Sequence, residues 1–188
     1  MIQDTAGMFR RLGTIAIALE VITIPAASAA DASPRAAVKV VYVAPGKFTD
    51  VGDNGYVTTD ARRDALLAQL AAHVEKRAAG RIPSGGTLAV TITDVDMAGG
   101  FEPGRAANAD RVRIVRDVYP PRIKLDFRLA DAGGKVVAEG RRELTDLSFM
   151  TNAEYRGDLL RYEKKLLDDW LDREFSGSAA ARGKPVTQ

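Results

Sequence analysis

The stretch "RIKLDFRLADAGGKVVAEG", residues 122–140, predicts a β-hairpin. From Ile123 to Leu129, apolar residues alternate with charged ones, which is the period of a strand that buries one face. Asp131–Gly134 supplies turn residues, and a return strand runs through Val136 and Ala138. Because a hairpin pairs its strands antiparallel, this stretch favours a mostly antiparallel sheet.

The flanking sequence adds two strands and two helices to the hairpin. The β-branched run "AAVKVVYVAP" (36–45) and the alternating run "TLAVTITDVDM" (87–97) predict strands. A helix is predicted from Thr59 or Asp60 to Gly80, and a second from about Ala153 to Phe175. The apolar stripe of the second helix is Leu159, Tyr162, Leu166, Trp170 and Leu171, and its wet side is Arg161, Lys164, Lys165, Asp168 and Asp169. We therefore predict an α+β two-layer sandwich, in which two helices pack on one face of a small, mostly antiparallel sheet of about four strands.

The N-terminal segment has the layout of a secretory signal peptide. Arg10 and Arg11 precede an apolar run from Leu12 to Ile24, and Ala27-Ser28-Ala29 resembles a cleavage site. That run is shorter than the ~20 residues that span a bilayer, so no membrane span is expected after cleavage. We predict a signal peptide (1–29), one globular domain (30–175) and a flexible polar tail (176–188), with export to the periplasm or the medium. The start, Met1 or Met8, stays open.

Composition excludes several classes of function. The 188 residues carry a net charge of +2 and no cysteine, which excludes disulfides and thiolate sites and disfavours nucleic acid as a partner. His73 is the one histidine, and it lies beside the apolar face of the first helix without a nucleophile motif, so we expect a boundary side chain. No catalytic residue, metal ligand or cofactor is predicted.

Asp94 and Asp96 lie near the end of the predicted strand at 87–97, within "TITDVDMAGG" (91–100). In a regular strand they share the inward parity of Leu88, Val90 and Ile92. Ionised carboxylates there need amides, an arginine or a metal. The favoured interpretation is that they accept hydrogen bonds from turn amides in "MAGG" or pair with Arg116 or Arg122.

The same aspartates allow a second hypothesis. Asp50 and Asp53 of "FTDVGD" could converge with Asp94 and Asp96 into an acidic cleft, where like charges raise one pKa and permit acid–base work. That arrangement would suit a metal-dependent hydrolase. The plainer alternative is a set of turn-forming aspartates.

The segment "RVRIVRDVYPPRI" (111–123) carries the most unusual local chemistry. Arg111, Arg113 and Arg116 could form a basic strip for an anionic ligand, with Tyr119 as a stacking face. The alternative is an edge segment held by salt bridges, whose prolines prevent edge pairing.

Five phrases carry a resemblance to a known family: "KFTDVGDNG", "TITDVDMAGGFEP", "RIVRDVYPPRIKLDF", "ELTDLSFM" and "YEKKLLDDW". Together they resemble the bacterial domain-of-unknown-function family numbered 3016, over roughly Val38 to Trp170. The resemblance implies an exported protein of Gram-negative bacteria. Since that family carries no established activity, the resemblance implies no catalytic residue.

These observations favour an exported, non-enzymatic binding or structural module of the cell envelope. Its expected partner is an envelope protein or a small anionic ligand. The candidate binding surface comprises Asp50, Asp53, Asp94, Asp96, Arg111, Arg113, Arg116 and Tyr119. The alternative is the metal-dependent hydrolase that would use the carboxylates.

Overall fold

The computed structural model describes residues 36–52, 58–102, 104, 112–151 and 154–180, with the backbone alone for 176–180. The predicted signal peptide (1–29) and the last part of the predicted tail (181–188) lie outside the described residues. In the part of the chain that the structure describes, no helix is long and apolar enough to cross a membrane.

Four strands and two helices follow in the predicted order. They are β1 (Ala37–Tyr42), α1 (Asp60–Ala78), β2 (Thr87–Asp96), β3 (Arg122–Ala130), β4 (Val136–Thr145) and α2 (Arg161–Ala180). The strands form one sheet in the order β1-β2-β3-β4, in which β1 is parallel to β2 and the other pairs are antiparallel. The predicted α+β architecture is confirmed, and α1 supplies the crossover that a parallel pair requires.

The hairpin forms where it was predicted. Asp131 Oδ1 accepts hydrogen bonds from the backbone N–H groups of Gly133 (2.9 Å) and Lys135 (3.0 Å), and Gly134 has a φ of 81°. Glycine is the residue that adopts this left-handed conformation without strain, so the turn chemistry in the sequence matches the turn in the structure.

The hydrophobic core lies between the two helices and one face of the sheet. Leu70 and Val74 of α1 and Leu167 and Trp170 of α2 are almost completely buried against the inward residues of β2 and β3. The Trp170 ring lies edge-on to Phe127 and to Phe175, at 5.8 Å between ring centroids in each case. On the other face of the sheet, which we call the helix-free face, none of the described residues forms an α-helix.

The second helix begins later and ends later than predicted. Tyr155 and Gly157 have φ values of 55° and 84°, and this left-handed backbone prevents a helix before Arg161. The helix then continues to Ala180 rather than ending at Phe175. Alanine is a strong helix former, so small residues that end an apolar stripe need not end a helix.

Asp168 is buried rather than on the wet side of α2, which corrects the sequence interpretation. Its carboxylate accepts hydrogen bonds from His73 Nε2 (3.0 Å), Arg77 Nε (2.9 Å) and the Tyr155 hydroxyl (2.5 Å). Burial by itself would raise the pKa of Asp168, but the bonds from Tyr155 and Arg77 hold it below its usual range. This network joins α1 to α2 on the helix side of the sheet, and His73 belongs to it.

Candidate binding cleft

A β-bulge decides where the aspartates of "TITDVDMAGG" point. The pairing of β2 with β3 shifts between Ile92 and Asp94, so Thr93 is an extra residue in β2. As a result Val95 is fully buried, while Asp94 and Asp96 lie on the helix-free face. The inward placement predicted from parity is therefore wrong, because one inserted residue reverses the alternation and keeps two carboxylates out of the apolar core.

The strand register arranges the charges of the helix-free face in cross-strand rows. Arg128 is opposite Glu139, and Asp126 is opposite Arg141. An ion pair joins the two side chains in each row. Arg128 Nε lies 3.8 Å from Glu139 Oε2, and Arg141 Nε lies 2.8 Å from Asp126 Oδ1. In these two rows each charge of β3 therefore has an ion-pair partner on β4.

In the row nearest the bulge Lys124 pairs with Asp94, and Glu143, opposite Lys124 on β4, has no ion pair among the described residues. The Asp94 carboxylate accepts hydrogen bonds from the Thr49 backbone N–H (2.8 Å) and hydroxyl (2.9 Å), and it lies 3.3 Å from Lys124 Nζ. Burial works against the ionised form, but the two bonds from Thr49 and the contact with Lys124 leave the pKa of Asp94 below its usual range. An amide does hold Asp94, as expected, but it comes from Thr49 and not from the "MAGG" turn.

The last row, Asp96 opposite Arg122, is different. Among the described residues, no hydrogen bond or ion pair within 4 Å reaches the carboxylate of Asp96 or the guanidinium of Arg122. Burial raises the pKa of Asp96, and the negative charge of Asp50 raises it further, whereas Arg122 lowers it. The row thus contains a half-buried carboxylate and an exposed guanidinium that do not form a salt bridge.

Two hollows meet at this row. The larger has a volume of 390 Å³ and is lined by Thr49, Asp94, Asp96, Arg122, Lys124, Glu143 and Thr145. The smaller has a volume of 110 Å³ and is lined by Asp96, Met97, Gly99, Val118, Tyr119, Pro120 and Arg122. Asp96 and Arg122 line both, and we call the two hollows together the cleft. The cleft lies where the charges of the sheet face stop being paired.

Asp50 also converges on this place. It forms an isolated parallel bridge with Asp96, and its N–H donates to the carbonyl of Val95 (3.0 Å). Its carboxylate, however, accepts a hydrogen bond from Arg113 Nη2 at 2.7 Å. Asp50, Asp94 and Asp96 are therefore neighbours, as the acidic-cleft hypothesis supposed. Yet the described residues contain no group of three or more His, Cys, Asp or Glu that could hold a metal ion.

The predicted basic strip divides in the structure. The Arg113 side chain is only 6% exposed, and it donates to the carbonyls of Gly52 (2.8 and 3.0 Å) and Gly99 (3.1 Å) as well as to Asp50. It thus ties the loop after β1 to the segment after β2. Asp53 and Arg111, the other members of the predicted surface in these segments, lie outside the described residues.

Arg116 and Tyr119 lie nearer the surface. Arg116 Nη1 is 3.5 Å from Glu102 Oε1, and the Tyr119 hydroxyl donates to the same oxygen at 3.4 Å. The N–H of Gly99 donates to the carbonyl of Tyr119 at 2.9 Å, which lays the 118–120 segment beside Asp96 and forms one wall of the smaller hollow. A side chain at Gly99, where φ is 86°, would approach the carbonyl oxygen of Ile114 to 2.8 Å, so this contact requires glycine.

Glu163 supports the segment after β2 from the helix side, and it is not among the functional residues predicted from the sequence. It is 1% exposed, and its Oε1 accepts a hydrogen bond from the N–H of Ala98 at 2.7 Å. Burial raises its pKa to about 7, although the bond from Ala98 acts in the opposite direction. The available signal was its position, because Glu163 lies four residues after Leu159 and seven before Trp170, on the predicted apolar stripe.

Comparison with known proteins identifies the family. The model of a family described as "Protein of unknown function (DUF3016)" matches residues 36–173, which is most of the chain. No curated protein and no solved structure matches the chain. The chain belongs to the DUF3016 family, as the five sequence phrases predicted.

Proposed function

We propose that this DUF3016 protein is an exported, non-enzymatic binding domain of the cell envelope, and that the cleft is its binding site. The observation that carries the proposal is the contrast between the rows of the helix-free face. In three rows an ion pair joins charges on neighbouring strands, whereas Asp96 and Arg122 form no ion pair among the described residues and line a cavity. Charged groups placed in a cleft without partners are typical of sites whose partner is a ligand.

The position of His73 supports binding rather than acid–base catalysis in the cleft. His73 lies on α1, on the opposite side of the sheet, and its Nε2 is bonded to Asp168. Burial lowers the pKa of this histidine, while Asp168 acts to raise it. The one histidine of the chain therefore takes part in the contact between the two helices and does not face the cleft.

A capture experiment tests the binding proposal. We expect the full chain, used as bait in an envelope extract, to retain a protein or small molecule that is lost from the double variant Asp96→Asn/Arg122→Gln. The matched control is Asp126→Asn/Arg141→Gln, which removes a paired row of the same face. Mass spectrometry of the eluates is the readout. The proposal fails if the cleft variant and the control retain the same molecules as the original chain.

Export is tested separately from binding. The n-region, the apolar run and the Ala27-Ser28-Ala29 site support cleavage after Ala29. We expect N-terminal sequencing of periplasmic or secreted material to begin at Ala30. Full-length protein that retains Met1 or Met8 and stays inside the cell would contradict this part of the proposal.

A further inference from the structure

We propose that the cleft recognises the α-ammonium group and the adjoining carboxyl or carbonyl group of an amino acid or of a peptide N-terminus, with the side chain in the smaller hollow. This inference rests on the proposed function, because it assigns a ligand class to the same cleft. It follows from three features of the site: the Asp96 carboxylate, the Arg122 guanidinium and the partly exposed Tyr119 beside them.

The Asp96 carboxylate is suited to a cation. It lines both hollows, it has no hydrogen-bond partner among the described residues, and the Cα atom of Asp50 is opposite its own. Its nearest carboxylate neighbours, Asp50 and Asp94, are already bonded to Arg113 and to Thr49 and Lys124. Glu143, which lines only the larger hollow, is the other carboxylate of the cleft without a hydrogen bond or ion pair among the described residues. An ammonium group bound beside Arg122 would contact Asp96 and would relieve its repulsion from Asp50.

The Arg122 guanidinium requires an oxygen acceptor on the ligand. Arg122 is the direct neighbour of Asp96 on β3, exposed, and without a carboxylate within 4 Å among the residues that the structure describes. Side chains paired across antiparallel strands start about 4.5–5.5 Å apart. A ligand that satisfies both must carry a cation and an oxygen acceptor on neighbouring atoms. The α-carbon of an amino acid carries an ammonium group and a carboxyl carbon side by side, and a planar guanidinium matches the carboxylate or carbonyl oxygen.

The smaller hollow can hold a ligand side chain against Val118 and Tyr119, which are 66% and 36% exposed. The rest of its exposed wall is mainly polar, because Met97 is buried and Asp96 and Arg122 also line the hollow. Its volume of 110 Å³ is well below the ~300–1,000 Å³ of a drug-sized pocket, so it admits one side chain rather than a larger ligand body. The walls of the larger hollow are polar and apolar in about equal parts, and this hollow leaves room for the next residue of a peptide.

Calorimetric titration of the full chain with L-phenylalanine tests the inference. We expect binding in the millimolar range or tighter, weakened roughly tenfold or more by N-acetylation of the ligand, because acetylation removes the ammonium group. Asp96→Asn and Arg122→Gln should each weaken binding to a similar degree. Asp126→Asn and Arg141→Gln should leave it unchanged, since they alter a paired row of the same face.

Two further ligands distinguish the sources of this chemistry. If phenylalanine amide binds as well as phenylalanine, a carbonyl satisfies Arg122 and the ligand is a peptide N-terminus. If only the free acid binds, the ligand is an amino acid. Equal binding of N-acetyl-phenylalanine, or no binding of any of these ligands by the folded chain, would overturn the inference. Loss of captured molecules from the Asp96→Asn/Arg122→Gln bait would in that case still support a binding cleft with a different ligand.

Discussion

The Trp170→Ala variant is expected to lose about 3–5 kcal/mol of the free energy of unfolding. Trp170 is 1% exposed, and its ring packs edge-on against Phe127 of the sheet and Phe175 of its own helix. Removing the indole leaves a cavity where α2 meets β3, and it removes two aromatic contacts as well as buried apolar area. Urea denaturation followed by circular dichroism measures the change.

Two further substitutions serve as controls for the Trp170→Ala measurement. Trp170→Phe keeps a ring between Phe127 and Phe175, and it should therefore lose clearly less stability than Trp170→Ala. Leu147→Ala removes an apolar side chain that is 76% exposed, so its effect should stay within about 0.5 kcal/mol. A Trp170→Ala loss as small as that of Leu147→Ala would show that α2 is not anchored by this residue.

The stability of the protein should depend on pH through Glu163. Burial raises the pKa of this carboxyl from 4.5 to about 7 in the folded chain. Between these values the folded state holds a proton that the unfolded state has released, so stability is lost as the pH rises from 4.5 through 7. At about 1.4 kcal/mol for each tenfold change in proton affinity, the full effect is on the order of 3 kcal/mol.

The Glu163→Gln variant isolates that effect. Glutamine keeps an oxygen that can accept the hydrogen bond from Ala98, and it stays neutral at every pH. We expect its free energy of unfolding to exceed that of the original chain by a margin that grows between pH 4.5 and 7 and is then constant. Glu139→Gln, an exposed residue of the helix-free face, should show no such growth. Parallel pH profiles for the Glu163→Gln variant and the original chain would contradict the prediction.

Local patterns predicted most of the fold. The alternation in "RIKLDFRLAD" and the turn residues after it determine the hairpin, since each depends on neighbours within a few residues. Thr59 was one of two predicted starts of the first helix, and it is the N-cap residue, whose hydroxyl accepts a hydrogen bond from the N–H of Arg62 at 3.2 Å. These features depend on short stretches of chain, so the sequence alone carries the information.

The site depended on information that no short stretch contains. Parity placed Asp94 and Asp96 inward, but the extra residue at Thr93 is visible only when β2 is aligned with β3. Asp168 looked solvated because its helical position is polar, yet His73, Arg77 and Tyr155 come from outside α2 to bond it. A carboxylate can be buried when several donors converge on it, and convergence is a property of the folded chain.

The sequence by itself determined the family, the order of the elements, the hairpin and the apolar faces that bring two helices onto one sheet. Only the tertiary structure decided which charges are paired. The cross-strand register brings Arg128, Asp126 and Asp94 each within ion-pair distance of an opposite charge on the neighbouring strand. It places Asp96 and Arg122 at the edge of a cavity, where they form no ion pair among the described residues. The physical reason is the separation along the chain of the residues that interact. A periodic pattern relates residues a few positions apart, whereas Asp96 is 26 positions from Arg122 and 46 positions from Asp50, its two neighbours in the folded chain.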